Sequence, residues 1–175
     1  DKKYLLHSWS IQKDYNPMYI SRAEGIYFWD ESGKKYMDFC SQLVNCNAGH
    51  QHHKIIAAIK AQADKLCYIG PTFTINIRAK LGKKLAEIIP GKLNKSFFSD
   101  SGARANEIAI ILAKTFTGKE KIIARKNSYH GATLGAASIS GDIRRIMINA
   151  KGYHTIFIDD PHTYELSVGT KKTLD

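Results

Sequence analysis

The sequence holds little cysteine, three in 175 residues, at positions 40, 46 and 67. An odd number without Cys-x-x-Cys spacing excludes a disulfide framework and a cysteine-built zinc site, and leaves reduced, partly buried thiols as the expectation. Long apolar runs are missing too. Residues 108–113 form one of the longest, far short of the roughly 20 needed to cross a bilayer, so no membrane partner is expected. No apolar stretch follows the opening Asp1-Lys2-Lys3-Tyr4, so a signal peptide is not expected and the cytoplasm is the default location. Internal repeats and low-complexity tracts are absent. Acidic residues are scarce relative to basic ones, 16 against 26, giving a formal net charge of +10. Such a balance can mark a nucleic-acid binder. Here the cations come singly or in pairs (Lys34-Lys35, Lys83-Lys84, Arg144-Arg145, Lys171-Lys172) and form no basic block. A lysine-rich solvated surface is the simpler reading, and no nucleic-acid partner is expected.

What is present, 43% hydrophobic and 24% charged residues, fits a globular chain with a real core. Residues 19–39 read as a hairpin, with Ile20, Ile26, Tyr27, Phe28 and Trp29 as strand-formers, a turn at Asp30-Glu31-Ser32-Gly33, and a return through Lys35 to Phe39. Ile55, Ile56, Ile59, Ala63 and Leu66 recur at helical spacing and predict a helix over 53–66. Ile77, Leu81, Leu85 and Ile88 predict a second over 75–89, ended by Pro90-Gly91. From there the rhythm alternates. Phe97-Phe98 reads as a strand, followed by a helix to about 117, a strand over 121–125, a small-residue helix over 131–137 and a strand over 155–158. This order predicts an α/β fold with a mostly parallel sheet flanked by helices. Residues 161–175 show no period.

One stretch carries the chemistry: Ser96-Phe97-Phe98-Ser99-Asp100-Ser101-Gly102-Ala103-Arg104-Ala105-Asn106-Glu107. A tight Ser-Gly turn into a helix aims unpaired N–H groups and their partial positive charge at one spot, which suits a phosphate. One strand further on, Ser128-Tyr129-His130-Gly131-Ala132-Thr133 supplies an aromatic ring. Together they suit a flat, phosphorylated aromatic cofactor. Each part has a plainer reading. Ser99, Asp100 or Ser101 would serve as a helix N-cap, worth about 1 kcal/mol over alanine, and Tyr129 alone would be a core aromatic. His50, His52 and His53 are close enough to suggest a metal, but no cysteine or carboxylate completes a ligand set nearby. Arg144-Arg145 would meet a substrate carboxylate, or be a solvated surface pair.

On these motifs the sequence resembles the class III aminotransferases, the ω-aminotransferase branch of the fold-type I pyridoxal-phosphate (PLP) enzymes, over residues 16–142. Glu24-Gly25-Ile26-Tyr27-Phe28-Trp29-Asp30 with the run Gly33 to Phe39 is similar to the family's N-terminal hairpin, and Gly49-His50-Gln51-His52 to its Gly-His-x-His loop. Ser101-Gly102-Ala103 with Ala105-Asn106-Glu107 resembles its phosphate turn, and Ser128-Tyr129-His130-Gly131 its ring-stacking segment. Ser41-Gln42-Leu43-Val44-Asn45 looks most like members described as taurine–pyruvate or related ω-amino acid aminotransferases.

The resemblance implies an aspartate aminotransferase-like fold. Residues 1–66 would contribute to a small domain and 67–175 would form the first part of the large cofactor-binding domain. It implies PLP as cofactor. Its phosphate would be held by the N–H groups of Gly102 and Ala103 and the Ser101 side chain, its ring stacked on Tyr129, with His130 and Gly131 completing the cofactor segment. His130 would bond structurally rather than act as the base, and Glu107 would orient its neighbours. Arg104 stands where the family usually has Glu, and His53 where it usually has Pro. The family's cofactor-binding lysine and ring-nitrogen Asp lie downstream, so no catalytic residue is assigned here. Lys114, Lys121 and Lys126 sit in no matching context. The implied whole is a cytoplasmic homodimer moving an amino group from an ω-amino acid or amine to a keto acid such as pyruvate or 2-oxoglutarate. A decarboxylase or aminomutase of the same superfamily, and a non-catalytic basic binding protein on this scaffold, are the alternatives.

Overall fold

The stretch read as a hairpin forms a three-stranded antiparallel meander in the computed structural model of the chain, which describes residues 3–8, 10–143 and 150–160. Strands β1 (Ile20–Glu24), β2 (Tyr27–Asp30) and β3 (Lys35–Met37) pair in that order. Ile26 is not a strand residue. Glu24 pairs with Tyr27, so Gly25 and Ile26 make a two-residue reversal. The register sets Trp29 opposite both Arg22 and Lys35, and the Arg22 guanidinium carbon lies 3.5 Å from its ring centre. One residue away, and so on the opposite face, Phe28 stacks on Tyr36 with ring centres 5.3 Å apart. At the β2–β3 turn the Asp30 carboxylate accepts the Ser32 hydroxyl at 2.6 Å, the Lys34 N–H at 3.0 Å and the Tyr36 hydroxyl at 2.9 Å. The Ser32 bond leads in holding its carboxyl below the usual range.

After β3 the backbone does something the sequence gives no sign of. Ser41, Gln42, Leu43 and Val44 have φ of +48°, +50°, +58° and +67°. The turn they form, α1 (Ser41–Val44), is left-handed. That conformation costs L-residues roughly 1–2 kcal/mol each, and Val44 is β-branched, the least tolerant kind. The Asp38 carboxylate holds the turn in place. It accepts the N–H of Cys40 at 3.2 Å and of Gln42 at 3.4 Å, and the Gln42 side-chain amide at 3.1 Å. Gly25 and His50 then exchange backbone hydrogen bonds of 3.0 and 2.7 Å, returning the chain to the meander.

Helices α2 (His53–Lys65) and α3 (Asn76–Ile88) fall where apolar periodicity places them. The α2 face bearing Ile55 and Ile59 stays about half exposed. The three cysteines are free, but Cys40 and Cys67 are exposed, so only Cys46 is partly buried as expected. The chain folds as two units, residues 1–78 and 79–175, with the boundary inside α3.

In the second unit Phe97-Phe98 is not a strand. Neither residue pairs with a neighbouring strand among the described residues, and Phe97 is largely exposed. Helix α4 (Gly102–Thr117) ends where Gly118 turns left-handed and donates to Lys114 O at 2.8 Å. Strands β4 (Lys121–Arg125) and β5 (His154–Ile158) pair in parallel, from Lys121 opposite His154 to Arg125 opposite Ile158. Parallel neighbours need a crossover, and α5 (Leu134–Ser138) lies within it. This helix begins three residues later than the composition suggests, because Gly131 takes φ +132° and Thr133 is the N-cap. Ile110 of α4, Ala124 of β4 and Ile139 form the buried core, with Ile122, Tyr153 and Phe157 packed on it. Ser138 and Ser140 are buried at the end of α5, and both hydroxyls are satisfied, donating to Gly135 O at 2.7 Å and Ala136 O at 2.9 Å.

Candidate cofactor site

The phosphate-turn candidates lie at the start of α4. Of the three possible caps, Ser101 is the N-cap. Its backbone is extended (φ −158°, ψ 158°), and its hydroxyl oxygen accepts the Arg104 N–H at 3.3 Å. Ser99 supports the turn by donating its hydroxyl to Ser101 O at 2.9 Å. The N–H of Ala105 is taken by Ser101 O at 3.0 Å. The N–H groups of Gly102 and Ala103 have no partner among the described residues. Two orphan donors and a hydroxyl with its own proton to give therefore converge at a positive helix end. The space beside Gly102 is open, since a Cβ built there meets nothing within 4 Å. The first turn carries no acidic residue. Arg104 instead adds a positive charge, loosely paired with Asp100 at 3.5 Å, both well exposed. This donor set fits a phosphate dianion.

The ring-platform candidates follow β4. Ser128 anchors the segment by donating its hydroxyl to Arg125 O at 2.6 Å and accepting the Gly141 N–H at its carbonyl, 2.9 Å away. Tyr129 is 45% exposed, so part of this aromatic side chain is accessible. His130 is held by its backbone, its N–H donating to the Ser140 hydroxyl at 3.0 Å and its carbonyl accepting from the Asn106 side chain at 2.8 Å. Gly131 brings the two halves together. A Cβ there would sit 2.7 Å from the Ala103 Cα and closer still to its Cβ, so only glycine allows this approach. Ser101, Gly102, Ala103 and Gly131 thus meet at one place, with Tyr129 and His130 in the adjoining segment.

Sequence spacing alone does not reveal the residues that connect these pieces. Asn106 reaches His130 across 24 positions, and Glu107 accepts the Gly135 N–H at 3.1 Å across 28. The Thr133 hydroxyl, ahead of backbone bonds from Ala136 and Gly135, holds the Glu107 carboxyl below its usual range. Glu107 therefore orients its neighbours and stays ionised. Among the lysines, Lys114 lies over the Tyr153 ring at 5.2 Å and Lys126 pairs with Asp159 at 2.6 Å. The histidine trio does not assemble a metal site. His50 contacts Asp38, His52 stacks on His53, and no metal-ligating cluster occurs among the described residues. Among the described residues no helix is long and apolar enough to cross a membrane. Arg144-Arg145 and residues 161–175 lie outside the described residues.

Comparison with known proteins identifies the family. A family model described as Aminotransferase class-III matches residues 10–173. Adenosylmethionine-8-amino-7-oxononanoate aminotransferase of Methanocaldococcus jannaschii is 36% identical over 100% of the chain and 40% of its own length. Isoleucine 2-epimerase of Lentilactobacillus buchneri is 34% identical over 81% of the chain and 32% of its own. Among solved structures, taurine:2-oxoglutarate aminotransferase of Bifidobacterium kashiwanohense, in complex with PLP and glutamate, superposes with a TM-score of 0.89. It is 37% identical and the match covers 94% of this chain and 37% of that one. The chain thus spans about two fifths or less of the length of these relatives.

Proposed function

The chain belongs to the class III aminotransferases, and we propose that it supplies the cofactor cradle of a PLP-dependent enzyme that moves an amino group from an ω-amino acid or amine to a keto acid such as pyruvate or 2-oxoglutarate. The observation that carries this reading is the pair of orphan N–H groups at Gly102 and Ala103, beside the Ser101 hydroxyl, with Gly131 packed directly against Ala103. Ser101, Gly102 and Ala103 would hold the phosphate. Tyr129 would fix the plane of the ring. His130 acts through its backbone, and its two hydrogen bonds keep the segment from shifting along α4. PLP, when bound, supplies the electron sink that lets a proton leave and rejoin the carbon beside the amino nitrogen. The protein's share here is binding and orientation, which turn a diffusional encounter into a fixed geometry.

An ω-amino donor is favoured by the likeness to a taurine:2-oxoglutarate aminotransferase, which includes 37% identity. Isomerisation of an amino acid without a keto acid is the second reading, supported by the 34% identity to an isoleucine 2-epimerase. The homodimer and cytoplasmic setting implied by the resemblance belong to the same proposal, and the half-exposed apolar face of α2 is consistent with cover by further protein.

The test begins with the full-length native protein. Its intact denatured mass fixes the length of the natural chain, and its absorption spectrum shows whether PLP is retained. It is then incubated with taurine or another ω-amino acid, with and without pyruvate or 2-oxoglutarate. Alanine or glutamate formed only with both partners supports transamination. Racemised or epimerised amino acid formed without a keto acid supports the second reading. A natural chain that retains no PLP overturns both.

A further inference from the structure

The helix that opens with the phosphate donors also carries, one turn later, the groups that hold the ring segment. Asn106 grips His130 O on the C-terminal side of Tyr129. Glu107, the next residue, grips the Gly135 N–H at the start of α5, with Thr133 and Ala136 also bonded to it. Ser140 closes the loop, accepting the His130 N–H and donating to Ala136 O. The segment that carries Tyr129 is therefore tied to α4 at two points, and Gly131 lies between them, pressed against Ala103. Simple packing would not need two side-chain clamps from adjacent residues, both directed at polar groups of one segment.

We propose that Asn106 and Glu107 are positioning residues that set the Tyr129 ring at a fixed distance from the Ser101-Gly102-Ala103 turn, so that both ends of one phosphorylated aromatic ligand are gripped at once. Asn106 bonds backbone, Glu107 bonds backbone and the Thr133 hydroxyl, and both act through the segment they hold rather than on the ligand. The inference rests on the PLP reading above and adds which residues join the two halves of the site. Its physical content is a coupling. Loosening the clamp costs the ring contact and leaves the phosphate contact intact, because the donors of the phosphate turn belong to α4 itself.

The experiment titrates the cofactor-free, full-length protein with pyridoxamine 5'-phosphate, which needs no lysine for binding, and separately with inorganic phosphate. The ratio of the two affinities measures the advantage conferred by the ring. Tyr129→Ala is expected to lower that ratio roughly threefold to tenfold, the range of a single aromatic contact. Asn106→Asp, which keeps the shape and removes the donor, and Glu107→Gln, which removes the charge, are expected to lower the ratio by a similar factor. Both should leave inorganic phosphate affinity within about twofold. Combining Asn106→Asp with Tyr129→Ala should lower the ratio no further than Tyr129→Ala alone, and the induced circular dichroism of bound pyridoxamine phosphate should fall in every one of these variants. Unchanged ratios in both clamp variants overturn the inference, as does a parallel loss of both affinities, which a merely structural role would give. If Glu107→Gln does not fold, Asn106→Asp decides. A wild-type protein that binds inorganic phosphate but gains nothing from the ring refutes the PLP reading itself, and the clamp with it.

Discussion

The His50 ring nitrogen Nε2 lies 2.8 Å from Asp38 Oδ2, with both side chains largely buried, and the same carboxylate holds the left-handed turn at residues 41–44. One acidic group thus serves a histidine from the Gly-His loop and the backbone of the strained turn together. Desolvation alone would raise the Asp38 pKa. The hydrogen bonds from His50 and Gln42 outweigh it and bring the value down to about 2.

A carboxyl with a depressed pKa stabilises the fold while it is ionised. The contribution of Asp38 is therefore full above about pH 4, where the unfolded group is also ionised, and is lost as pH falls toward 2. Thermal melts of the full-length protein between pH 7 and pH 2 are expected to show this loss. Asp38→Asn should flatten that part of the profile and lower Tm at neutral pH. An unchanged profile would mean that the carboxylate is not holding the turn.

Ser101 separates a structural role from a binding role. As the N-cap of α4 it contributes about 1 kcal/mol, which Ser101→Ala should lose and Ser101→Gly should largely keep. Both variants lack the hydroxyl expected to face the phosphate, so both should bind PLP more weakly. Denaturant midpoints set beside PLP titrations check this. Equal PLP affinity in wild type and Ser101→Gly would remove the hydroxyl from the phosphate site.

Gly131→Ala places a methyl group against Ala103 at a φ of +132° that L-residues avoid. Overpacking and backbone strain together should cost about 2 kcal/mol or more. PLP retention should fall as well, since the ring segment can keep its new side chain only by moving away from the phosphate turn. Denaturant unfolding and cofactor content measure the two effects.

The 175-residue chain expressed by itself should lack a sharp melting transition and should bind a hydrophobic dye. Among the described residues the buried hydrophobic ones are few and small, chiefly Ile110, Ile139 and four alanines, while Phe39, Leu43 and Phe116 are at least 84% exposed. A cooperative melt with no dye binding would show that these residues find cover within the chain.

Much of this was legible in the sequence because it is local. The apolar spacing of α2 and α3 places those helices within about a residue, α4 ends at its predicted Thr117, and β4 falls on its predicted span. Phe97-Phe98 misleads because a strand is defined by its neighbour, and two phenylalanines carry no information about whether one is there. The predicted start of α5 is early because Gly131 counts as a small helical residue until its contact with Ala103 is known. The Asn106–His130 and Glu107–Gly135 bonds join positions 24 and 28 apart and leave no periodic trace. The turn at 41–44 is hidden for another reason. Its handedness is usually the mark of glycine, and here there is none.

That last point bears on how the protein can change over evolutionary time. A loop whose path is written into its own residues must keep them, glycine above all. The path from Ser41 to Val44 is dictated instead by Asp38, reinforced by the Asn45 amide, which donates to Gln42 O at 2.9 Å. Leu43 is 84% exposed and Val44 71%, and neither side chain determines the course of the backbone that presents it. Mutation can therefore exchange what these two positions display while the frame stays put. The protein has, in effect, an interchangeable tip on a mount that Asp38 holds.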